Sequence, residues 1–181
     1  MKSALVIIFR NFEETEAIAP IDILKRAGAD VKIATMSENL ETSGRSGIQI
    51  RADVLFSGVK DALFDAVIVS GGPGTANVAE NPALLDFIKR HDSQNKIVAA
   101  ICAAPAVLKN AGVLEGKTCV CHPSKEKELE PFLDKSQKKV LSSKNAITSR
   151  GAGTALDFGL ALAAALCGES AAQKVADSIC F

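Results

Sequence analysis

The sequence predicts an α/β fold in which a mostly parallel sheet is covered by helices on both faces. Short β-branched runs such as ALVIIF and DAVIVS alternate with amphipathic segments such as EAIAPIDILKRAG, which is the pattern of consecutive βαβ units. The 181 residues, 48% of them hydrophobic, contain no repeat or linker. We therefore predict a single domain that spans residues 1–181.

The first half of the chain predicts two strands, a helix between them and a hairpin. ALVIIF predicts a buried first strand, and VKIATM predicts the second. Between them, Ile18, Ile21 and Leu24 form the apolar stripe of a helix, which Gly28 ends. The following stretch, NLETSGRSGIQIRADVLFSG, combines turn residues with brief alternation and predicts a small hairpin.

The second half continues the alternation. DAVIVSGG and KIVAAIC predict strands, and the segments PALLDFIKRH and APAVLKNAG predict the helices that follow them. Further short strands are predicted at KTCVCH, KKVLSS and NAITSR. A long final helix is predicted from about Thr154.

Charge and hydropathy exclude several classes of partner. The formal net charge is zero without any block of like charges, so neither a nucleic acid nor an anionic membrane is an expected partner. The N-terminal apolar run is too short for a signal sequence or a membrane span, and Asp157 interrupts the apolar segment near the C-terminus. A small-molecule partner fits this composition better.

The five cysteines are irregularly spaced and odd in number, which favours free thiols in a reducing compartment, the cytoplasm. Cys119, Cys121, Cys167 and Cys180 are expected to be structural thiols, with Cys180 the most exposed. Cys119 and Cys121 lie close to His122, but alternation along a strand directs the two thiols to opposite faces. No second cysteine pair completes a tetrahedral set, so no metal site is predicted.

Cys102 is the strongest candidate for chemistry, because it lies where the strand IVAAI ends and a helix begins. A strained turn at this point would expose the thiol above the carboxyl edge of the sheet, as in a nucleophile elbow. A neighbouring helix N-terminus is expected to lower the pKa of this thiol. The alternative is that Cys102 is a buried structural thiol, which is common for free cysteine.

Residues at other strand ends are expected to surround this thiol. The Gly72 amide, together with that of Ala103, could form an oxyanion hole. Glu16 lies on the inward face of the first helix, where burial would keep it protonated and able to donate to the thiolate. Glu13 and Glu14 are expected to be solvated residues of the first helical turn.

The two histidines are assigned different roles. His122 follows a predicted strand, at the same edge as the other candidates, and is predicted to belong to the site, although a surface role is the alternative. His91 lies near a predicted helix end and is expected to be a solvated capping residue.

These motifs together resemble the ThiJ/PfpI superfamily, in particular the branch of the Parkinson-associated protein deglycase and its YajL-type bacterial relatives. The resemblance covers nearly the whole chain through the segments EETEAIAPIDILKRAGADV, DAVIVSGGPG, KIVAAICAAPAVL, CHPSKEKE and ITSRGAGTALDFGLAL. It implies a flavodoxin-like sandwich, a homodimer and a site without a cofactor. In that site Cys102 is the nucleophile, hydrogen-bonded to Glu16, and His122 is the pocket histidine.

The resemblance also implies that the amides of Gly72 and Ala103 form the oxyanion hole. It places Arg26 and Arg45 near the dimer interface and Arg150 beside the pocket. Ala103 stands where the intracellular protease branch has a histidine, which disfavours peptidase activity. The loop GGPGTAN is one residue shorter than in the human-type branch, which alters the pocket near Asn77.

The implied activity is that of a glyoxalase III-type lyase, which converts methylglyoxal to lactate, or of a protein deglycase, a hydrolase that repairs early glycation adducts. In the implied mechanism Glu16 and His122 move protons through an enediol. The alternative is an oxidative-stress sensor or redox chaperone that acts through oxidation of Cys102 to the sulfinate. A thiamine-biosynthesis or kinase role is disfavoured because the chain has no phosphate-binding loop of the Walker A type.

Overall fold

The centre of the fold is a seven-stranded sheet, in a computed structural model that describes residues 1–181. The nine strands are β1 (Ser3–Ile8), β2 (Asp30–Thr35), β3 (Glu41–Ser43), β4 (Gln49–Arg51), β5 (Val54–Leu55), β6 (Ala66–Val69), β7 (Ile97–Ile101), β8 (Val140–Ser143) and β9 (Ala146–Ser149). The sheet order is β5, β2, β1, β6, β7, β9, β8, and β3 pairs with β4 in a separate antiparallel hairpin.

Every neighbouring pair in this sheet is parallel except β8 with β9. The helices are α1 (Glu14–Arg26), α2 (Thr75–Val78), α3 (Pro82–Ser93), α4 (Pro105–Asn110), α5 (Ala155–Cys167) and α6 (Glu169–Ser178). α1, α5 and α6 pack together, whereas α3 packs with α4. The predicted flavodoxin-like fold, with its mostly parallel sheet and its hairpin, is confirmed.

The structure differs from the predicted elements in two places. The predicted single final helix is divided at Gly168, whose φ of 97° lies in the left-handed region that a helix cannot continue through. The segment KTCVCH contributes only an isolated bridge between Cys119 and Leu133 instead of a strand. Both differences arise from local backbone conformations that apolar patterns do not encode.

The buried central strands hold the carboxyl edge in place. Ala4 to Ile8 of β1 are all fully buried, as expected for a strand covered on both faces. β1, β6 and β7 are adjacent and parallel, so their carboxyl ends meet at the same edge of the sheet. No helix is long and apolar enough to cross a membrane.

Candidate active site

Cys102 directly follows β7 and has a φ of 65°, a conformation that residues with a side chain rarely adopt. Its N–H donates to the Ser149 carbonyl at 2.9 Å, and its carbonyl accepts from the His122 N–H at 2.8 Å. Hydrogen bonds on both sides therefore hold the strained turn. The thiol is half-buried, so the predicted strand–turn–helix arrangement presents it to a cavity.

Glu16 lies in the first turn of α1 with only 1% of its surface exposed. The Glu13 carboxylate accepts from the Glu16 N–H at 2.8 Å and so caps the helix. The Glu16 carboxyl group accepts from the Gly71 N–H at 3.1 Å and is also hydrogen-bonded to the Cys102 side chain. The predicted inward orientation of Glu16 brings an acid and a thiol into direct contact.

The pKa of Glu16 is raised from 4.5 to about 7. Burial is the main cause, because a charged carboxylate loses hydration in this position. The hydrogen bond with Cys102 acts in the opposite direction, and the nearby charge of Glu13 adds to the increase. Glu16 thus exchanges its proton near neutral pH, where both of its forms are available.

The predicted lowering of the Cys102 pKa is wrong for this arrangement. Burial, followed by the charge and hydrogen bond of Glu16, raises the pKa of the thiol to about 12, although the amides of Gly72 and Ala103 oppose the increase. The helix that follows, Pro105–Asn110, has only six residues and supplies a correspondingly short array of peptide dipoles.

Cys102 and Glu16 therefore behave as one coupled acid pair. The contribution of Glu16 to the thiol pKa requires an ionised carboxylate. When Glu16 is protonated, the charge disappears and its O–H can donate to the sulfur, which favours the thiolate. The pair has two forms that hold a single proton, and the form with the proton on Glu16 contains the thiolate.

The loop after β6 aims a backbone amide at the sulfur. Gly72 has a φ of 108°, and a Cβ added to it would lie 2.5 Å from the Glu13 nitrogen. Only glycine fits this conformation and this close approach. The amides of Gly72 and Ala103 both act to lower the pKa of the Cys102 thiol, so the two predicted oxyanion-hole residues are adjacent to the thiol.

His122 lies at the start of a short 3-10 turn, Pro123–Lys125. A Cβ built on Gly151 would lie 3.7 Å from His122 Cδ2 and 3.8 Å from Glu16 Oε1. The imidazole and the Glu16 carboxyl group consequently face the same spot beside Gly151. His122 is exposed, yet it borders the same cavity as Cys102.

These residues share a cavity of about 340 Å³. Its lining consists of Glu13, Glu16, Arg45, Gly72, Pro73, Thr75, Ala76, Cys102, Ala103, His122, Ser124, Lys125 and Ala152. Sequence reasoning did not identify Ser124, Lys125 or Ala152 as site residues, although CHPSKEKE carries the first two next to His122. The Ala152 amide acts to lower the pKa of Glu16, an effect that depends on where the turn after β9 lies in three dimensions.

The three arginines singled out from the sequence lie apart. Arg45 borders the cavity, whereas Arg26 is on the surface and pairs with Asp22 at 2.7 Å. Arg150 pairs with Glu126 at 3.6 Å and borders a separate small recess beside Cys121. Of these cations, only Arg45 is positioned to meet a molecule bound at Cys102.

A larger cavity of about 640 Å³ lies at another part of the same sheet edge, bordered by Phe9, Met36 and Asn77. Its lining contains polar amides and hydroxyls but no thiol or imidazole. The smaller cavity contains the acid, the thiol and the imidazole together. We therefore take the Cys102 cavity as the candidate active site.

Two other sequence predictions are wrong. Glu14 is 8% exposed instead of solvated, because its carboxylate accepts from the Ser46 N–H at 2.8 Å. His91 is fully buried instead of a solvated cap, since its Nε2 accepts from the Phe64 N–H at 3.0 Å. Both partners are distant in sequence, so neither burial was visible from local pattern.

The remaining cysteines follow the predicted ranking. Cys119 and Cys121 are buried, Cys167 is half-buried and Cys180 is exposed, and all are free. None of the four borders the cavity of Cys102.

Comparison with known proteins matches the chain to the DJ-1/PfpI family over residues 2–165. Protein dj-1beta of Drosophila melanogaster is 37% identical over 180 residues, which cover 98% of this chain and 96% of that protein. A Caenorhabditis elegans protein named glutathione-independent glyoxalase DJR-1.2 is 32% identical over 181 residues, covering 99% and 97%.

Solved structures give the same result. Oxidized Toxoplasma gondii DJ-1 superimposes with a TM-score of 0.95 at 31% identity, covering 100% of this chain and 99% of that one. The likeness extends over the elements that form the cavity.

Proposed function

Because the chain belongs to the DJ-1/PfpI family, we propose that it is a cofactor-free, cysteine-dependent glyoxalase that converts a 2-oxoaldehyde such as methylglyoxal into its hydroxy acid. The observation that carries this proposal is the hydrogen-bonded pair of Cys102 and Glu16 beside two amides. A family member named as a glutathione-independent glyoxalase supports the same chemistry. The cavity of about 340 Å³ suits a small molecule.

The first step is addition of sulfur to the aldehyde carbon. The thiolate form of Cys102, which exists when Glu16 holds the proton, forms the C–S bond while the carbonyl electron pair moves to oxygen. The amides of Gly72 and Ala103 stabilise this oxygen. Glu16 then delivers its proton to the oxygen, which gives a neutral hemithioacetal and a carboxylate.

The second step moves hydrogen between adjacent carbons. The Glu16 carboxylate removes the proton from the carbon bonded to sulfur, which leaves an enediolate with its charge on the neighbouring oxygen. The hydroxyl proton of the first carbon moves to that oxygen, and Glu16 returns its proton to the neighbouring carbon, which gives a thioester of the hydroxy acid. Water then cleaves the thioester, which releases the acid and restores the thiol. The sum is 2-oxoaldehyde plus water to hydroxy acid, without an external oxidant or reductant.

Protein deglycation is a related activity of the same nucleophile. In an early aminocarbinol adduct, the Cys102 thiolate would displace the amine from the former aldehyde carbon, and Glu16 would supply the proton that the amine needs to leave. The resulting hemithioacetal then follows the same path to the hydroxy acid. The exposed rim of the cavity, which includes Ala152 and Ser124, would face a protein-bound adduct.

A second candidate function is oxidative-stress sensing. Two peroxide molecules would oxidise Cys102 to the sulfinate, each transferring one oxygen atom to the sulfur while its other oxygen leaves as water. The observation that favours the sensor function is the position of the Gly72 and Ala103 amides beside the sulfur, because their N–H groups would stabilise a sulfinate oxygen. The related Toxoplasma gondii protein is an oxidized form.

We also propose a cytoplasmic homodimer. Five free cysteines suit a reducing compartment. The exposed apolar residues Ile18 and Leu156, at 43% and 45% exposure, lie on α1 and α5, which pack against each other. Light scattering of the purified protein tests the dimer, and a monomer at micromolar concentration would overturn it.

The deciding experiment measures methylglyoxal consumption and lactate formation without glutathione. Wild-type protein is expected to complete many turnovers per thiol, and Cys102→Ser none. Cys180→Ser removes an exposed thiol outside the cavity and serves as the matched control, with full activity expected. Absence of turnover in the wild type, together with peroxide-dependent addition of two oxygens at Cys102, would refute the glyoxalase and favour the sensor.

A further inference from the structure

We propose that Ser124 is a positioning residue that fixes the tautomer of His122, so that His122 donates a hydrogen bond to the substrate oxygen and does not act as a base. This inference rests on the proposed function for the identity of the substrate. Its structural part, the position of one proton on the imidazole, is independent of that function.

Ser124 occupies one nitrogen of His122 with two donors. The Ser124 backbone N–H lies 3.2 Å from His122 Nδ1, and the Ser124 hydroxyl oxygen lies 2.9 Å from the same nitrogen. A backbone N–H can only donate, so Nδ1 must be an unprotonated acceptor. The hydroxyl therefore also donates to Nδ1, and the ring proton of neutral His122 lies on Nε2.

The protonated nitrogen is adjacent to the ring carbon that approaches Gly151. Nε2 is bonded to Cδ2, which would lie 3.7 Å from a Cβ built on Gly151, and Glu16 Oε1 would lie 3.8 Å from the same point. Nδ1 lies across the ring, against Ser124. Ser124 thus directs an N–H group toward the place where an oxygen of the substrate would lie above Cys102.

This arrangement divides the chemical work between two residues. Nε2 already carries a proton and cannot accept another, and protonation of Nδ1 would break its bond with the Ser124 N–H and require the Ser124 hydroxyl to become an acceptor. Proton movement is consequently left to Glu16, which exchanges its proton near pH 7 because its pKa is raised to about 7. His122 contributes a fixed donor to the oxygen on which charge develops. The expected exchange of protons through both Glu16 and His122 becomes exchange through Glu16 alone.

The other histidine provides an internal reference. His91 Nε2 accepts from the Phe64 backbone N–H at 3.0 Å, and its Nδ1 lies 2.8 Å from the Phe87 carbonyl oxygen. The same reasoning places the proton of His91 on Nδ1. The only two histidines of the chain should therefore hold opposite tautomers.

Long-range proton–nitrogen NMR correlation on the ¹⁵N-labelled full chain tests this directly. At pH 8, His91 is expected as the Nδ1–H tautomer and His122 as the Nε2–H tautomer, with His122→Gln assigning the signals. Ser124→Ala removes the hydroxyl donor but keeps the backbone N–H, so it should raise the Nδ1–H fraction of His122 in part and leave that of His91 unchanged. Ser124→Thr should return this fraction to its wild-type value. An Nδ1–H tautomer of His122 in the wild type would overturn the proposal whether or not the protein turns over methylglyoxal.

Kinetics test the role of the fixed donor. Ser124→Ala is expected to lower kcat by about fivefold to tenfold, with KM changed less than about twofold and with recovery in Ser124→Thr. Glutamine retains an N–H donor, so His122→Gln should keep more activity than His122→Ala and keep the inflection of the pH profile near pH 7 that Glu16 provides. Equal activity of His122→Gln and His122→Ala would refute the donor role. Loss of that inflection in His122→Gln would identify His122 as a base and refute the proposal as well.

Discussion

The two ends of the parallel strands both contain buried or half-buried ionisable groups, but they hold them differently. At the amino ends, Asp65 accepts from the Ser3 N–H at 3.0 Å and from Lys96 Nζ at 2.9 Å. At the carboxyl ends, Glu16 and Cys102 face each other, and the neighbouring charge that shifts the pKa of Glu16 is that of another acid, Glu13. Pairing with opposite charge stabilises the first edge, whereas its absence keeps the second edge reactive.

The pKa values follow this division. The hydrogen bond from Lys96 lowers the pKa of Asp65 to about 2, while burial raises that of Glu16 to about 7. The fold therefore stabilises the ionised form of Asp65 at one end of the strands and destabilises the ionised form of Glu16 at the other. Near the amino ends, burial also lowers the pKa of His91, so that the neutral imidazole is favoured by folding.

The largest expected effect comes from Glu16→Gln. It should lower kcat/KM for methylglyoxal by about a thousandfold, because proton transfer by a positioned acid or base contributes about 10²–10⁴ in rate. Glu14→Gln is the matched control, since Glu14 is a buried acid of the same helix outside the cavity. Equal losses in both variants would show that burial of an acid in α1, and not contact with Cys102, supports the activity.

The same substitution should alter how stability depends on pH. Because the pKa of Glu16 in the folded protein, about 7, exceeds its ordinary value, folding favours the protonated form. Its contribution is complete below pH 4.5 and is lost as pH rises through 7, a loss of about 3 kcal/mol. Urea denaturation at pH 4.5 and 8 should show this loss in the wild type and not in Glu16→Gln. Parallel pH dependence in the two proteins would place the titration elsewhere.

His91→Leu tests the amino-edge side of the comparison. It should lower the free energy of unfolding by about 2 kcal/mol at pH 7, because the buried Phe64 N–H loses its acceptor, and it should leave methylglyoxal turnover intact. The pKa of His91 is lowered by burial, so its contribution is present above the ordinary value near 6.5 and is lost as pH falls below it. The variant should lack this loss.

The exposed histidine supplies the control for that experiment. His122→Ala should lose activity yet change the free energy of unfolding by less than about 0.5 kcal/mol, as exposed substitutions usually do. If His122→Ala destabilises the fold as much as His91→Leu, the functional separation of the two edges fails.

The smallest expected effect is that of Asp65→Asn. Its side chain is 26% exposed, so solvent screening limits the loss of stability to less than about 1 kcal/mol at pH 7. The contribution of Asp65 is present above its ordinary pKa of 3.8 and disappears as pH falls through about 2. Chemical denaturation at pH 7 and 3 should show the difference between variant and wild type shrinking at the lower pH. Asp22→Asn, which removes an exposed pair with Arg26, should have no measurable effect.

The carboxyl edge could be assembled from the sequence because parallel topology brings strand ends together without any knowledge of side-chain contacts. Cys102 follows β7, and Gly72 lies just beyond β6. Predicting the position of Glu16 required one further inference, that it lies on the inward face of the helix that begins after β1. These three positions follow from the helical periodicity and from the order of strands and helices along the chain.

The burial of His91 at the amino edge could not be predicted in this way. The ring nitrogens of His91 are satisfied by Phe87, four residues earlier, and by Phe64, which is 27 residues away. A partner at that distance leaves no periodic trace near His91. The prediction of a lowered pKa for Cys102 was wrong for a related reason. Glu16 acts on the thiol through the contact between α1 and the turn after β7, and not through the short helix that follows Cys102.

The close packing of Gly72 against the backbone near Glu13 has a consequence for how the protein folds. The two segments lie about 60 residues apart in the chain, so they meet only after the central strands β1 and β6 have paired. Before that moment the polypeptide carries Cys102 as an ordinary thiol, similar to the other four cysteines. Because the folded site raises the pKa of Cys102 to about 12, a fall in its alkylation rate relative to that of the exposed Cys180 during refolding would mark the time at which these two segments meet.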